Sequence, residues 1–429
     1  MKKITLLLLT TCLFWTCSPL PTIDEVAEEY VKLCLEVGMY DDDFVDAYFG
    51  PEEWKPDFEK EAEIPAARFI SHVDDLLGVC SDINDRQLTE EDAMRLLGLR
   101  KQLIAVKTKV EMMNGKKYSF DEEAKLLYDA EPPKYDAAHF DNLLSKLDSE
   151  LPGEGTIKER FLDYQKDFAI PTDKLDTVFT VAIDEARKRT TARYDLPENE
   201  SFVVEYVTDK SWSGYNYYKG NAVSLIQLNT DFPMYIDRAI DLACHEGYPG
   251  HHVFMTLMDQ NLYQGKGWVE YSVYPLFCPN SLIAEGTANY GIDVAFPGEE
   301  RVKYEKEVLF PLAGIDPEKA DQYYRIEALR SALNYAGNEA ARQYLNGDFT
   351  REQAAAWIEK YLLYAPDRAL QRTRFIDQYR SYVINYNLGK DMVARHMTVL
   401  GGTPDQPDKR WEFFKGLLSN PPTPSSLKE

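Results

Sequence analysis

"CHEGYPGHHVF", residues 244–254, carries three of the six histidines in a chain of 429 residues and sets His245 beside Glu246. That pairing opens the zinc-peptidase helix H-E-x-x-H. There, two histidines one turn apart reach the same ion, and the glutamate takes a proton from water. Here the fifth position is Pro249, and the next histidines are His251 and His252. On a straight helix His251 would stand about 9 Å along the axis from His245 and face poorly, and His252 would stand about 10.5 Å away. Neither could share an ion with His245. Pro249 changes this, because it lacks an N–H and its ring clashes with the carbonyl of His245, so the helix must break or bulge. Gly250 then allows backbone angles closed to other residues. A break that absorbs two residues brings His251 to the place of the second histidine. His251 is therefore the expected ligand, with His252 in the pocket wall or against substrate. Spacing alone leaves the choice between the two histidines open.

Working outward, residues 234–246 form an amphipathic helix after Pro233, with Ile236, Ala239, Ile240 and Ala243 as its buried stripe. Upstream, "SFVVEYVTD" (201–209) and "AVSLIQLNTD" (222–231) are β-branched, aromatic and roughly alternating, and read as a pair of antiparallel strands. Between them lies the turn-rich "KSWSGYNYYKG", whose Tyr215, Tyr217 and Tyr218 are candidates to line a cleft. The strand at 222–231 precedes the histidine helix, as the substrate-pairing edge strand does in zinc peptidases. Downstream, "SLIAEGTANYGIDVAF" reads as a helix carrying Glu285. A catalytic zinc takes about three protein ligands and keeps one position open. Glu285 is the candidate third ligand, and Asn289, one turn on, is placed to hydrogen-bond a ligating histidine. The bland alternative is that histidines near a helix end only satisfy carbonyls and the helix dipole. Three histidines and a glutamate within residues 245–252 of a histidine-poor chain weigh against it.

Most of the remaining chain reads as helix. Apolar residues recur at helical spacing over 22–36, 64–78 and 173–194. Capping patterns open segments at Thr89/Asp92, Ser119/Glu122 and Thr350/Gln353, and 316–347 reads as one helix opened by Asp316-Pro317 and ended by Gly347. The fold class is thus mainly α: a large helical protein with a small antiparallel sheet beside the active-site helix, zinc-peptidase-like. The expected organisation is a signal peptide over 1–16, an N-terminal helical region over 17–199, a catalytic region over 200–415 and a disordered tail over 416–429.

A formal charge of −24 argues against nucleic-acid binding, which needs a basic surface. The start, "MKKITLLLLTTCLFWTCSPL", is a basic and then apolar secretory signal followed by a cysteine. It reads as a bacterial lipoprotein signal with Cys17 as the lipidated residue; Cys12 and ordinary cleavage are the alternatives. The expected location is the cell envelope, lipid-anchored to the membrane through Cys17 and facing the periplasm or the cell surface. Cys34, Cys80, Cys244 and Cys278 are too few for a disulfide framework in so long a chain, and their spacings are not those of a zinc finger.

"HEGYPGHH", "EGTANY" and "SYVINYNLGK" together resemble the bacterial family called domain of unknown function 885, many of whose members look like lipoproteins. The resemblance runs from about residue 25 to 400 and implies a mostly helical fold related to glutamate-type zinc peptidases. It implies metal ligands at His245, His251 and Glu285, a general base at Glu246, and Tyr386 in the site, where its hydroxyl could stabilise an oxyanion. The expected function is a Zn2+-dependent hydrolase, a peptidase acting on a peptide or small amide. The alternatives are a zinc amidohydrolase on a non-peptide amide and a non-catalytic cell-envelope binding lipoprotein.

Overall fold

The computed structural model describes residues 22–83 and 85–427. The signal sequence, Cys12 and Cys17 lie outside the described residues.

The chain is mainly α, as expected. The capping patterns do their work. Thr89 accepts from the Asp92 N–H, while Ser119/Glu122 and Thr350/Gln353 close reciprocal capping boxes. Each such cap contributes about 0.5–2 kcal/mol to its helix. The single helix expected over 316–347 is two, Ala320–Ser331 and Tyr335–Leu345. Asn334 bonds back to Ser331 through both its backbone N–H and its side chain, a local competition that ends the first helix. The tail, as far as Leu427, is packed rather than free. Residues up to Ser419 complete the helix Pro407–Ser419, and a short 3-10 turn at Pro424–Ser426 delivers Leu427 to the core.

Two small sheets lie among the helices. β1 (Val45–Tyr48) pairs antiparallel with β5 (Val273–Pro275), and β2 (Ser201–Val207), β3 (Gly214–Tyr218) and β4 (Val223–Asn229) form a sheet in the order β2-β4-β3. The expected antiparallel pair is therefore corrected: β2 and β4 run parallel, and β3 takes the antiparallel place on the other side of β4. Alternation identified both strands, but it says nothing about which neighbours which. The connection over 208–222 is long enough for the crossover that a parallel pair requires, and it carries β3 within it. β4 is consequently central and bonded on both sides. It cannot be the edge on which a substrate strand adds.

The buried core is continuous from Ile23 to Leu427. The N-terminal region is woven into it by the β1–β5 ladder and by the buried Arg95–Glu270 pair, 2.6 Å between Nε and Oε1. Core residues lie on both sides of the expected boundary between 199 and 200.

Candidate metal centre

The helix Asp237–Leu242 runs directly into a π-helical turn at Ala243–Gly247. Ile236, Ala239, Ile240 and Ala243 are buried along it, the expected stripe. The Tyr248 N–H reaches back to the Ala243 carbonyl (3.0 Å) and the Gly250 N–H to that of Cys244 (2.9 Å), so the ring closures are wider than those of an α-helix. This is how the two extra residues are absorbed. Gly250 is held to glycine by contact: a Cβ there would lie 2.0 Å from the His245 oxygen and 2.3 Å from that of Cys244. A new helix, His251–Met258, starts immediately after it.

The widened turn brings His245 and His251 together, with their Nε2 atoms 3.2 Å apart and their rings at 88°. Glu285, on the helix Pro279–Ala295, completes a triangle: Oε2 is 3.3 Å from His245 Nε2, and Oε1 is 3.7 Å from His251 Nε2. Donors about 2.0–2.1 Å from a tetrahedral zinc stand about 3.3 Å from one another, so the His245–His251 and His245–Oε2 separations suit ligands of one ion, and the three residues each offer a donor within 4.8 Å of the others. Glu285 supports the fit in a second way, because its buried Oε2 makes no hydrogen bond and is met only by the His245 imidazole at 3.3 Å. Such an atom costs about 1–3 kcal/mol unless something binds it. The histidine side chains keep 13% and 17% exposure, so the triangle is open on one side. Burial by itself would raise the Glu285 carboxyl, but the His251 and His245 imidazoles override it and hold that carboxyl well below the usual range.

Two helices cross at the site. Gly286 packs on Gly389 of the helix Ile384–Leu400 so closely that a Cβ on Gly286 would lie 2.5 Å from the Gly389 oxygen. The glycines of "EGTANY" and "YNLGK" are thus two halves of one contact, and this contact sets the tyrosines beside Glu285. Sequence reasoning singled out Tyr386 and missed Tyr382. The Tyr382 hydroxyl donates to Glu285 Oε1 at 2.7 Å and orients the carboxylate. Tyr386 stands one turn on, with ring centroids 5.8 Å apart. Burial and then the negative charge of Glu285 push its hydroxyl well above the usual range, so it stays protonated and able to donate. Asn289 does not meet a histidine. Its Nδ2 donates to the Glu285 and Tyr386 backbone carbonyls (3.0 and 3.2 Å) and ties the two helices together.

Glu246 is buried, 4% exposed, within electrostatic reach of His245, His251 and Glu285. Burial raises its carboxyl, against the pull of the two imidazoles. Gly214 of β3 makes room for it, since a Cβ there would be 2.7 Å from Glu246 Oε1. Asn216 Nδ2 donates to the Glu246 carbonyl at 2.7 Å and fixes the π turn against β3.

His252 is neither in the pocket wall nor at a substrate position. It is fully buried, with Nδ1 2.8 Å from Ser224 Oγ and Nε2 3.1 Å from Glu200 Oε2. Glu200 also accepts from the Tyr248 hydroxyl (2.6 Å) and pairs with Arg187 (2.7 Å). This clamp holds both flanks of Pro249 to the β2–β4 sheet. Nothing in the sequence marked Glu200, whose partners lie up to 52 residues away.

Asp46, on β1, was also missed. It accepts from the Tyr215 hydroxyl and lies within electrostatic reach of His251, Glu285 and Glu246; burial, opposed by Tyr215 and His251, lifts its carboxyl to about 6. Tyr217 packs against Tyr215 with tilted rings at 4.5 Å, whereas Tyr218 is buried and donates to Asp259 Oδ2 (2.7 Å), outside the cleft.

The fold has relatives among solved structures. A candidate lipoprotein from Colwellia psychrerythraea is similar at a TM-score of 0.53 and 16% identity, over 95% of this chain and 75% of that one. A candidate lipoprotein of unknown function from Shewanella oneidensis aligns at a TM-score of 0.46 and 15% identity, over 84% of this chain and 70% of that one. No protein-family profile and no curated protein matches the chain. At such identity the first likeness concerns the fold alone.

Proposed function

We propose that this chain is a zinc-dependent hydrolase that cleaves peptide bonds. The observation that carries the reading is the cluster of His245, His251 and Glu285 donors, 3.2–3.7 Å apart at their nearest atoms, with one buried carboxylate oxygen making no hydrogen bond and Glu246 buried beside it. Zinc held there would supply a Lewis acid for a substrate carbonyl and for water. The protein's own groups then have distinct tasks. Glu246 takes the proton of the attacking water as the oxygen–carbon bond forms, and returns a proton to the nitrogen as the carbon–nitrogen bond breaks. The Tyr386 hydroxyl donates to the carbonyl oxygen as charge develops on it. Tyr382 holds Glu285, and the Glu200–His252–Tyr248 clamp holds the turn.

The test is elemental analysis of the chain lacking residues 1–16, beside His251→Ala, Glu285→Ala and His252→Ala, followed by peptide hydrolysis with Glu246→Gln as control. About one zinc per chain is expected, lost in the first two variants. A folded wild type that takes up no zinc refutes the proposal.

We further propose that Cys17 is lipidated and anchors the chain in the bacterial envelope, on the strength of the leader "MKKITLLLLTTCLFWTCSPL". Palmitate labelling is expected to vanish in Cys17→Ser and persist in Cys12→Ser; the reverse pattern would move the anchor to Cys12.

A further inference from the structure

A cleft of about 740 Å3 opens beside the metal centre. Asp46 and Tyr215 belong to both: they line the cleft, and Asp46 lies within electrostatic reach of His251, Glu285 and Glu246. Gly214 and Asn216, which flank Tyr215 on β3, touch Glu246 from the other face of the strand. The cleft thus adjoins the triangle of ligands through Asp46 and Tyr215, and its lining bears on what comes near it.

Six aspartates line it: Asp42, Asp43, Asp46, Asp209, Asp231 and Asp367. Lys210 and Arg374 are the cations of the lining, which leaves four net negative charges among its seventeen residues. The whole chain carries −24 over 429, so the lining is about four times as dense in negative charge as the average. The aspartates also lack ion-pair partners. Elsewhere carboxylates pair freely with lysine and arginine, but among the described residues none of these six forms an ion pair. Their contacts are with neutral donors. Asp46 accepts from Tyr215, Asp43 from Gln378, and Asp231 from the backbone of Asp209 and Lys210. A negative field is therefore left standing in a concave site, where low-dielectric walls focus it. One wall is aromatic: Trp212, Tyr215 and Tyr217 pack in sequence with tilted rings, centroids 5.3 and 4.5 Å apart. The Lys210 ammonium already lies 5.8 Å over the Trp212 ring, which shows the kind of cation such a face accepts.

We propose that this cleft is the substrate channel and that it selects peptides bearing ammonium or guanidinium groups close to the scissile bond. The inference rests on the hydrolase reading for its mention of a scissile bond, but the selection itself is a property of the cleft.

Binding and turnover separate the two. The chain lacking residues 1–16, as wild type and as Glu246→Gln, is presented with fluorescein-labelled Ala-Lys-Ala-Ala, Ala-Ala-Ala-Ala and Ala-Glu-Ala-Ala, each with a free or an acetylated N-terminus. Binding to Glu246→Gln is read by anisotropy and cleavage by wild type as kcat/KM. The expected result is at least tenfold tighter binding of the lysine peptide than of the glutamate peptide, a ratio that shrinks in high salt. An Asp42→Asn/Asp209→Asn pair is expected to weaken lysine-peptide binding at least fivefold more than it weakens alanine-peptide binding. A preference that follows the free amine rather than lysine names the N-terminal ammonium as the group selected. Equal binding of all six peptides, or a charge preference untouched by the aspartate pair, overturns the proposal. Selective binding without cleavage by a zinc-loaded wild type leaves the channel standing and refutes the hydrolase instead.

Discussion

Replacing Tyr382 by phenylalanine removes one hydroxyl and nothing else from the candidate metal centre. That hydroxyl donates to Glu285 Oε1 over 2.7 Å in a buried setting. A hydrogen bond to a charged group of this kind contributes about 1.5–3 kcal/mol. At about 1.4 kcal/mol per factor of ten, zinc affinity should fall by between about 10-fold and 150-fold. Removing the second partner of a metal ligand has effects of this same order, about 10–100-fold. The assay is a competition titration against a chromogenic chelator, with Tyr386→Phe as the comparison. Tyr386 has no hydrogen bond to Glu285, so Tyr386→Phe should keep zinc affinity within about twofold while lowering kcat by about 10²–10³, the usual cost of losing one oxyanion donor. If Tyr382→Phe binds zinc as tightly as wild type, the carboxylate is not held by this contact. If Tyr386→Phe is the variant that loses zinc, the two tyrosines have been assigned the wrong way round.

Glu200→Gln tests the clamp around Pro249. Burial should raise the Glu200 carboxyl, but His252, Tyr248 and Arg187 together hold it at about 2 against an ordinary 4.5. A depressed carboxyl stabilises the fold above its unfolded value and loses that contribution as pH falls towards the folded one. The gap between wild type and Glu200→Gln should therefore be about 3 kcal/mol at pH 7 and roughly half that by pH 3 in urea unfolding; a gap that ignores pH would show that the carboxylate charge is not what holds the turn. Gly286→Ala must push a Cβ against the Gly389 oxygen and should destabilise by about 1–3 kcal/mol, read as a lower Tm together with weaker zinc binding. Gly250→Ala meets two backbone oxygens and should be worse than Gly286→Ala on both counts; an equal or smaller loss would mean that the turn can open without cost. Zinc at a free concentration of about 100 times its Kd should stabilise the chain by about 2.7 kcal/mol, so a chelator is expected to lower the Tm of wild type and to leave that of His251→Ala unmoved.

The parts of this molecule legible in the sequence are those governed within a turn or two of backbone. Pro249 and Gly250 announce a break because proline cannot donate and clashes one turn back, and the break makes His251 the reachable histidine. Capping pairs three residues apart mark helix starts for the same local reason, and the buried stripe of 236–243 follows from helical periodicity. What the sequence left undetermined depends on elements meeting from far apart. Two neighbouring histidines look alike on paper, but Glu200 and Ser224 draw His252 into the core and leave His251 to Glu285. Tyr382 and Tyr386 sit one turn apart in one motif, and only the Gly286–Gly389 crossing decides that Tyr382, 97 residues from Glu285, takes hold of it. Strand pattern identified β2 and β4 but not the insertion of β3 on the far side, which makes β4 central and places Tyr215 against Asp46. Backbone sterics act through covalent neighbours and can be read from spacing. Side-chain contacts across a core depend on how closely two helices or strands approach, a distance that packing sets and a linear sequence does not contain.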